Sequence, residues 1–382
     1  MNRRRLSNRR RGNVVVLSAF LMIPLLAMIA FACDIGYITV IRTQLQSSAD
    51  AAALAAVWEL ADEDGPGDNP SSAEVADRAR RIAAEYAAYN LVGRQAPALA
   101  DSDVEIGYLA NPSDPNSPLV APTETNLANA VRVRVRRTSD QNGQVPLFFA
   151  RVMGYDKAAV EATATASLQC TIRGFQTPPD YSNLGILPIA LDQESWNYLM
   201  AGHGTDSYRY NNDDKSSASG SDGVLELNLY PGGTGSAGNR GTVDIGGANN
   251  STSDIARQII SGISPEDLEA LRATGSSLEL DVNSELVLQG DTGLSAEIKS
   301  ELTAIIGQPR IVPIFSKVAN PGNNARYTIV KFVGIRVMHV ELTGKNKRVI
   351  VQPCPIVTGG IISSPGTGST SEYIYSRSRL VR

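Results

Sequence analysis

The longest apolar stretch runs from Val14 to Cys33, VVVLSAFLMIPLLAMIAFAC, twenty residues without a charge. As a helix rising 1.5 Å per residue it would span about 30 Å, the hydrocarbon thickness of a bilayer. Pro24 sits at its centre, where a membrane helix tolerates it because neighbours re-satisfy the freed carbonyl. The helical pattern does not stop there. Residues 34–61, DIGYITVIRTQLQSSADAAALAAVWELA, hold seven alanines and no proline, and alanine is the strongest helix former. Ile38, Ile41, Leu45, Ala49, Ala52 and Ala56 recur at helical spacing. Span and extension together predict one rod over 14–61, about 70 Å long, ended by Gly65-Pro66-Gly67. Its apolar face, with Leu45, Ala49, Ala52 and Ala56, suits two uses: lying on the chain's own domain, or packing against copies of itself or other subunits through small side chains.

Beyond the rod, the pattern shortens. A helix is predicted over 72–91, capped by Ser72 and with Val75, Ala79, Ile82, Tyr86 and Tyr89 on one face. Residues 103–109, 130–137 and 160–168 alternate apolar and polar positions, as half-buried antiparallel strands do. A short helix is expected over 145–153. In the middle strand Arg132, Arg134 and Arg136 form one face. They read as a solvated row paired with Glu105 and Glu161, or as a docking surface for an acidic partner or a lipid headgroup.

From Gly174 the chain turns to short Val-, Ile- and Leu-rich runs bounded by Gly, Pro and Asn, with fewer helices, and predicts a β-rich α+β domain to about 356. Residues 357–382, rich in Gly, Ser and Thr, are expected to form a flexible tail.

Candidate chemistry is sparse. The chain has two histidines, His203 and His339, and no His/Cys cluster of zinc-site spacing. It lacks a G-x-S-x-G elbow, and the glycines of 232–238 lack the Lys-Ser/Thr of a phosphate loop. Asp206, Asn211, Asn212, Asp213 and Asp214 supply oxygens without the order of a calcium loop. No catalytic, cofactor-binding or metal-binding residue is assigned, and a non-enzymatic role is expected. Cys33 belongs to the apolar stretch. Cys170 and Cys354 each end a predicted strand, and a disulfide between them would close a loop of 183 residues, worth about 5 kcal/mol by loop entropy; two thiols is the alternative.

Charge adds sidedness. The 382 residues carry 35 Lys+Arg and 39 Asp+Glu, a net of −4, which does not suit a nucleic-acid binder. Six arginines, Arg3, Arg4, Arg5, Arg9, Arg10 and Arg11, stand ahead of the apolar stretch with no acid among them, leaving −10 for the rest. They place residues 1–13 on the cytoplasmic side and the bulk of the chain outside. Ala30-Phe31-Ala32 also fits a cleavage site. A retained anchor is favoured over a cleaved, lipidated or twin-arginine signal, because helical sequence continues without a break past Cys33.

One combination of motifs is more specific than an apolar helix. Arg11-Gly12-Asn13 precedes the span and Pro24 sits within it. Asp34-Ile35-Gly36 follows its end, then Gln44-Leu45-Gln46 and Ala49-Asp50-Ala51-Ala52-Ala53-Leu54-Ala55. This resembles the N-terminus of TadE/TadG-like proteins of Flp (tight adherence) pilus assembly, closely over about 55 residues and loosely to Leu168. The resemblance implies a membrane-anchored, pilin-like subunit without catalysis. Its partners would be the lipid bilayer, pilus or secretion-system subunits, and copies of itself through the rod. Gly12 is not followed by the glutamate that prepilin-like subunits carry at the fifth mature position, and Asp281-Val282-Asn283-Ser284-Glu285 does not fit the metal motif of larger relatives. The expected organisation is a basic tail (1–13), a transmembrane helix (14–33), an extended helix (34–61), a pilin-like α+β domain (62–173), a β-rich α+β domain (174–356) and a tail (357–382). The fold class is α+β.

Overall fold

A computed structural model describes residues 13–64, 71–112, 114, 116–123, 127–229, 240–246, 251–292, 296–320, 322, 324–343, 347–363 and 370–381. The six N-terminal arginines and the glycine run 232–238 lie outside these residues. The chain is mixed α and β. It begins with one helix of 46 residues, α1 (Asn13–Trp58), which contains Pro24 and runs on into a 3-10 turn, Glu59–Asp64. At 1.5 Å per residue α1 is about 70 Å long, close to the rod that the alanine-rich pattern predicts.

The chain folds as two compact units that are not consecutive in sequence. The first takes residues 1–55, 80–105 and 132–165; the second takes 56–79, 106–131 and 166–382. The expected single domain over 62–173 is therefore divided between the two. The sequence pattern is local and could not show this, because it marks elements and not which elements share a core.

In the first unit α1 is joined by most of α2 (Ser72–Tyr89). The three alternating segments become β1 (Val104–Leu109), β2 (Ala130–Arg137) and β3 (Val160–Ser167), adjacent in that order, of which the first unit takes residues 104–105, 132–137 and 160–165. Val131, Val133 and Val135 are fully buried, while Arg132, Arg134 and Arg136 point the other way. The helix expected over 145–153 is absent. Val145–Pro146 pairs antiparallel with Lys157–Ala158, and only Ala150–Met153 coils, as a 3-10 turn ended by Gly154 at φ +88°. Proline has no N–H for a ladder or a helix interior, the Leu147 N–H donates to the Asp156 carbonyl, and the next three N–H groups are taken by a side chain of α1, described below.

The second unit is built on a sheet that closes on itself. β4 (Ile189–Asp192) pairs antiparallel with β5 (Arg240–Val243), β5 with β6 (Leu286–Thr292), and β6 with the start of β8 (Ala325–Glu341). β8 pairs along its other edge with β7 (Pro309–Ala319), which returns to β4 in parallel. β9 (Arg348–Pro353) and the short strand Leu227–Asn228 extend the far end of β8. The interior is packed around buried Phe315, Tyr327, Phe332 and Leu288. At Gly241 an added Cβ would lie 2.0 Å from the Tyr327 hydroxyl, so only glycine lets the strand pass that ring. Helices α3 (Gln193–Met200), α4 (Thr252–Ser261) and α5 (Pro265–Ala273) start on side-chain caps from Asp192, Ser251 and Ser264. α5 carries the complete capping box, Ser264 with Asp267, and Pro265 in its first turn.

The described residues after 356 do not form a loose tail. Ile356–Thr358 pairs with Ile374–Ser376, Ile361–Ser363 with Ile172–Phe175, and Ser371–Glu372 with the middle of β8. Ile374 and Tyr375 are buried. Composition pointed to a tail, but the few apolar residues there fall where the unit's core receives them.

Candidate docking and membrane face

α1 changes character at one residue. From Val15 to Phe31 its large apolar side chains are exposed to the surroundings, and one helix of the described chain is thus long and apolar enough to cross a membrane. From Asp34 onward one face turns inward. Asp34, Ile41, Leu45, Ser48, Ala49, Ala52 and Ala56 are all buried. The face that also suits packing against a second copy, Leu45, Ala49, Ala52 and Ala56, is covered by the chain itself. Alanines there have the physical consequence expected of them, a close approach, but toward the protein's own fold.

Polar side chains of α1 hold this half of it within its unit. The Ser48 hydroxyl donates to the Ala87 carbonyl of α2 at 3.0 Å. The Gln44 side-chain oxygen accepts the Gly93 N–H at 2.8 Å. The Asp34 carboxylate accepts three successive backbone N–H groups, from Phe148 (2.8 Å), Phe149 (3.0 Å) and Ala150 (2.7 Å). Burial pushes the Asp34 carboxyl up, yet the N–H groups of Phe148, Ala150 and Phe149 and the nearby Arg151 outweigh it and hold the group below the usual carboxylate range. Tyr37, one turn on, packs edge-to-face against Phe148 with ring centres 5.5 Å apart. Asp34 was legible only as part of a motif. Its signal is position: an acid placed immediately after twenty uncharged residues, in a helix that does not stop.

The arginine row is neutralised from within. Arg132 meets Glu105 at 2.9 Å, Arg134 meets Asp103 at 3.2 Å, and Arg136 meets both Asp103 (2.9 Å) and Asp140 (2.8 Å). Glu105 was expected as a partner. Asp103, buried at the foot of β1, takes two arginines and was missed, because it opens the alternating run as a polar position and nothing in the sequence shows that it is buried.

The remaining candidate groups do not converge. His203 stacks on Tyr198 (4.4 Å between ring centres) and His339 on Tyr208 (5.0 Å), both beside an open cleft in the second unit lined also by Glu226, Asn228 and Arg348. Burial and then Arg348 lower the His339 pKa, against the pull of Glu341. Asp206 accepts from the Ser221 hydroxyl and from the N–H groups of Asp222 and Gly223, so its oxygens brace a turn. No disulfide joins Cys170 to Cys354. The N–H of Cys354 pairs with Gly334 on β8, whereas the Cys170 carbonyl accepts from the Ser371 hydroxyl, so each belongs to a different backbone neighbour. The C-terminal strands reach the stretch beside Cys170 through hydrogen bonds instead. The Ser371 hydroxyl also accepts the Ile172 N–H, and the Ser376 hydroxyl accepts that of Gln169.

Residues 12–59 match the Flp pilus-assembly TadE/G-like family, and residues 55–166 match the Tad-like Flp pilus-assembly family. The N-terminal part of this chain is Tad-like. The two matches meet at the end of α1 and between them take in the Asp34 clamp, the arginine row, β1, β2 and all of β3 but Ser167. The closed sheet of the second unit lies beyond the Tad-like residues. No curated protein and no solved structure matches the chain.

Proposed function

We propose that this protein is a non-enzymatic, single-pass subunit of a Flp pilus or a related secretion assembly. Residues 14–33 anchor it, the arginines ahead of them stay in the cytoplasm, and both folded units project outside. The observation that carries the reading is the single uninterrupted α1, apolar and uncovered over Val15–Phe31 and then docked from Asp34 onward, in a stretch that matches pilus-assembly families. With its own domain covering the inner face of 34–56, the part of the rod left for other subunits is the uncovered half within the membrane. Affinity capture of the tagged full chain from solubilised membranes tests this. Co-purification of a pilus or secretion component is expected, and loss of that component when Leu21 and Leu25 are both changed to Arg would assign the contact to the rod. Recovery of the chain alone under mild crosslinking counts against the proposal.

The cleft of the second unit supports one alternative, a membrane-anchored binding module for glycan or protein unrelated to pili. It presents the exposed Tyr198 ring stacked on His203, beside Glu226, Asn228 and Arg348, and a flat aromatic face edged by polar groups suits a sugar ring. A glycan array that retains the wild-type chain and not a Tyr198→Ala variant would favour it.

A further inference from the structure

The loop that Asp34 clamps carries an apolar surface of its own. Phe148 is 60% exposed, Phe149 48%, Val152 91%, Met153 61% and Tyr155 66%. Five large apolar side chains in eight residues, all left uncovered, form a patch that soluble surfaces rarely carry. Its position is fixed by α1. Three hydrogen bonds to Asp34 and the Tyr37–Phe148 ring contact pin it within one turn of Cys33, the last residue of the uncharged stretch. The headgroup zone on each side of a bilayer is about 5–8 Å deep, so a loop held at that level lies in it. The composition suits that zone: aromatic rings, aliphatic tips, and the exposed Arg151 among them.

We propose that residues 148–155 form a second membrane contact, a loop dipped into the outer-facing headgroup layer beside the span, with Phe149, Val152 and Met153 toward the acyl chains and Arg151 at phosphate level. This rests on the reading of 14–33 as a retained anchor. Its consequence is mechanical: a single helix can swivel in a membrane, whereas a helix with a wedge fixed to its side by Asp34 has one preferred rotation.

Photocrosslinking of the full chain in phospholipid membranes tests it. A benzophenone amino acid replaces, in turn, Val152, Phe20 in the span, and the exposed Tyr89, which lies near the level of Ser48 and so about 20 Å along α1 from Asp34. Peptide masses raised by one phospholipid are expected at Val152 and Phe20 and not at Tyr89. Lipid adducts at Phe20 with none at Val152 would overturn the loop contact and leave the anchor standing. Absence at both would overturn the anchor reading and the loop with it. Adducts of Val152 to another protein would assign the patch to a subunit interface instead and equally overturn the proposal.

Discussion

The close approach of α1 to the loop after α2 can be tested at Gly93. Its φ is +59°, and an added Cβ would lie 2.9 Å from an Arg137 terminal nitrogen and 3.0 Å from the Ile41 δ-methyl. Neither neighbour is loose. The Arg137 guanidinium is held to the Gly143 carbonyl (3.0 Å) and to Gln95 (3.1 Å), and Ile41 is fully buried on α1. Placing Ala in a left-handed conformation costs roughly 1–2 kcal/mol. Displacing the guanidinium from one charged hydrogen bond adds about 1.5 kcal/mol. The reduced entropy of the unfolded chain offsets about 0.4–1 kcal/mol. Gly93→Ala should therefore weaken the docked state by about 2–3 kcal/mol. Gly143→Ala is the matched control: its φ is +68° and nothing lies within 4 Å of the added carbon, so about 0.5–1 kcal/mol is expected there. Hydrogen exchange of the amides of Ile41 to Ala52, in the full chain in detergent, reads the opening free energy. Gly93→Ala should speed it roughly 30- to 150-fold, at a factor of ten per 1.4 kcal/mol, and Gly143→Ala only a few-fold. Equal acceleration by both variants would refute the argument, since it would leave no contribution from α1 at Gly93.

The Asp34 clamp should release in acid: its carboxyl is held below the ordinary 3.8, so its contribution is complete above that value and is lost as pH falls through the lower folded one, which exchange at Phe148–Ala150 would follow; Asp34→Asn should show the faster exchange already at neutral pH. Asp103→Ala leaves Arg134 and Arg136 without their shared carboxylate and should cost about 2–3 kcal/mol in thermal unfolding, the arginines being only partly exposed. Non-reducing alkylation of the unfolded chain should modify both Cys170 and Cys354, and a mass lower by two hydrogens would contradict the arrangement seen here; in the folded chain Cys354 should react slowly, because burial raises its thiol pKa against the effect of Arg336. Truncation before Thr370 removes the buried Ile374 and Tyr375 and should destabilise the second unit to proteolysis, whereas a dispensable tail would leave its digestion pattern unchanged.

What could be read from the chain beforehand was whatever depends on neighbours in sequence. The 3.6-residue period from Ile38 to Ala56, the alternation of Val131, Val133 and Val135 with arginines, and Ser264-Pro265 ahead of an acidic turn each specify an element directly. The errors came where a distant group decided the outcome. Residues 145–153 look helical until the Asp34 carboxylate takes the N–H groups that a helix would need. Residues 357–382 look loose until β8 and the strand Ile172–Phe175 supply edges for them. The closure of the sheet through β4 and β7 joins residues more than a hundred positions apart, which no local period can announce. The candidate face was half legible: the apolar stretch was plain, while its partner loop showed only as Leu147-Phe148-Phe149 without a role.

The way the two units share the chain sets an order of manufacture. The backbone passes from one unit to the other after residues 55, 79, 105, 131 and 165. In order of synthesis, the unit containing α1 lacks its last strand until residue 165 has been made. The other unit must keep 56–79 and 106–131 waiting for partners as late as Tyr375, whose hydroxyl bonds the Ala61 carbonyl. Neither unit can be removed whole by a single cut, and the second cannot be completed early. The unit containing α1 has all of its chain by residue 165, whereas the other closes only when the C-terminal strands have been made.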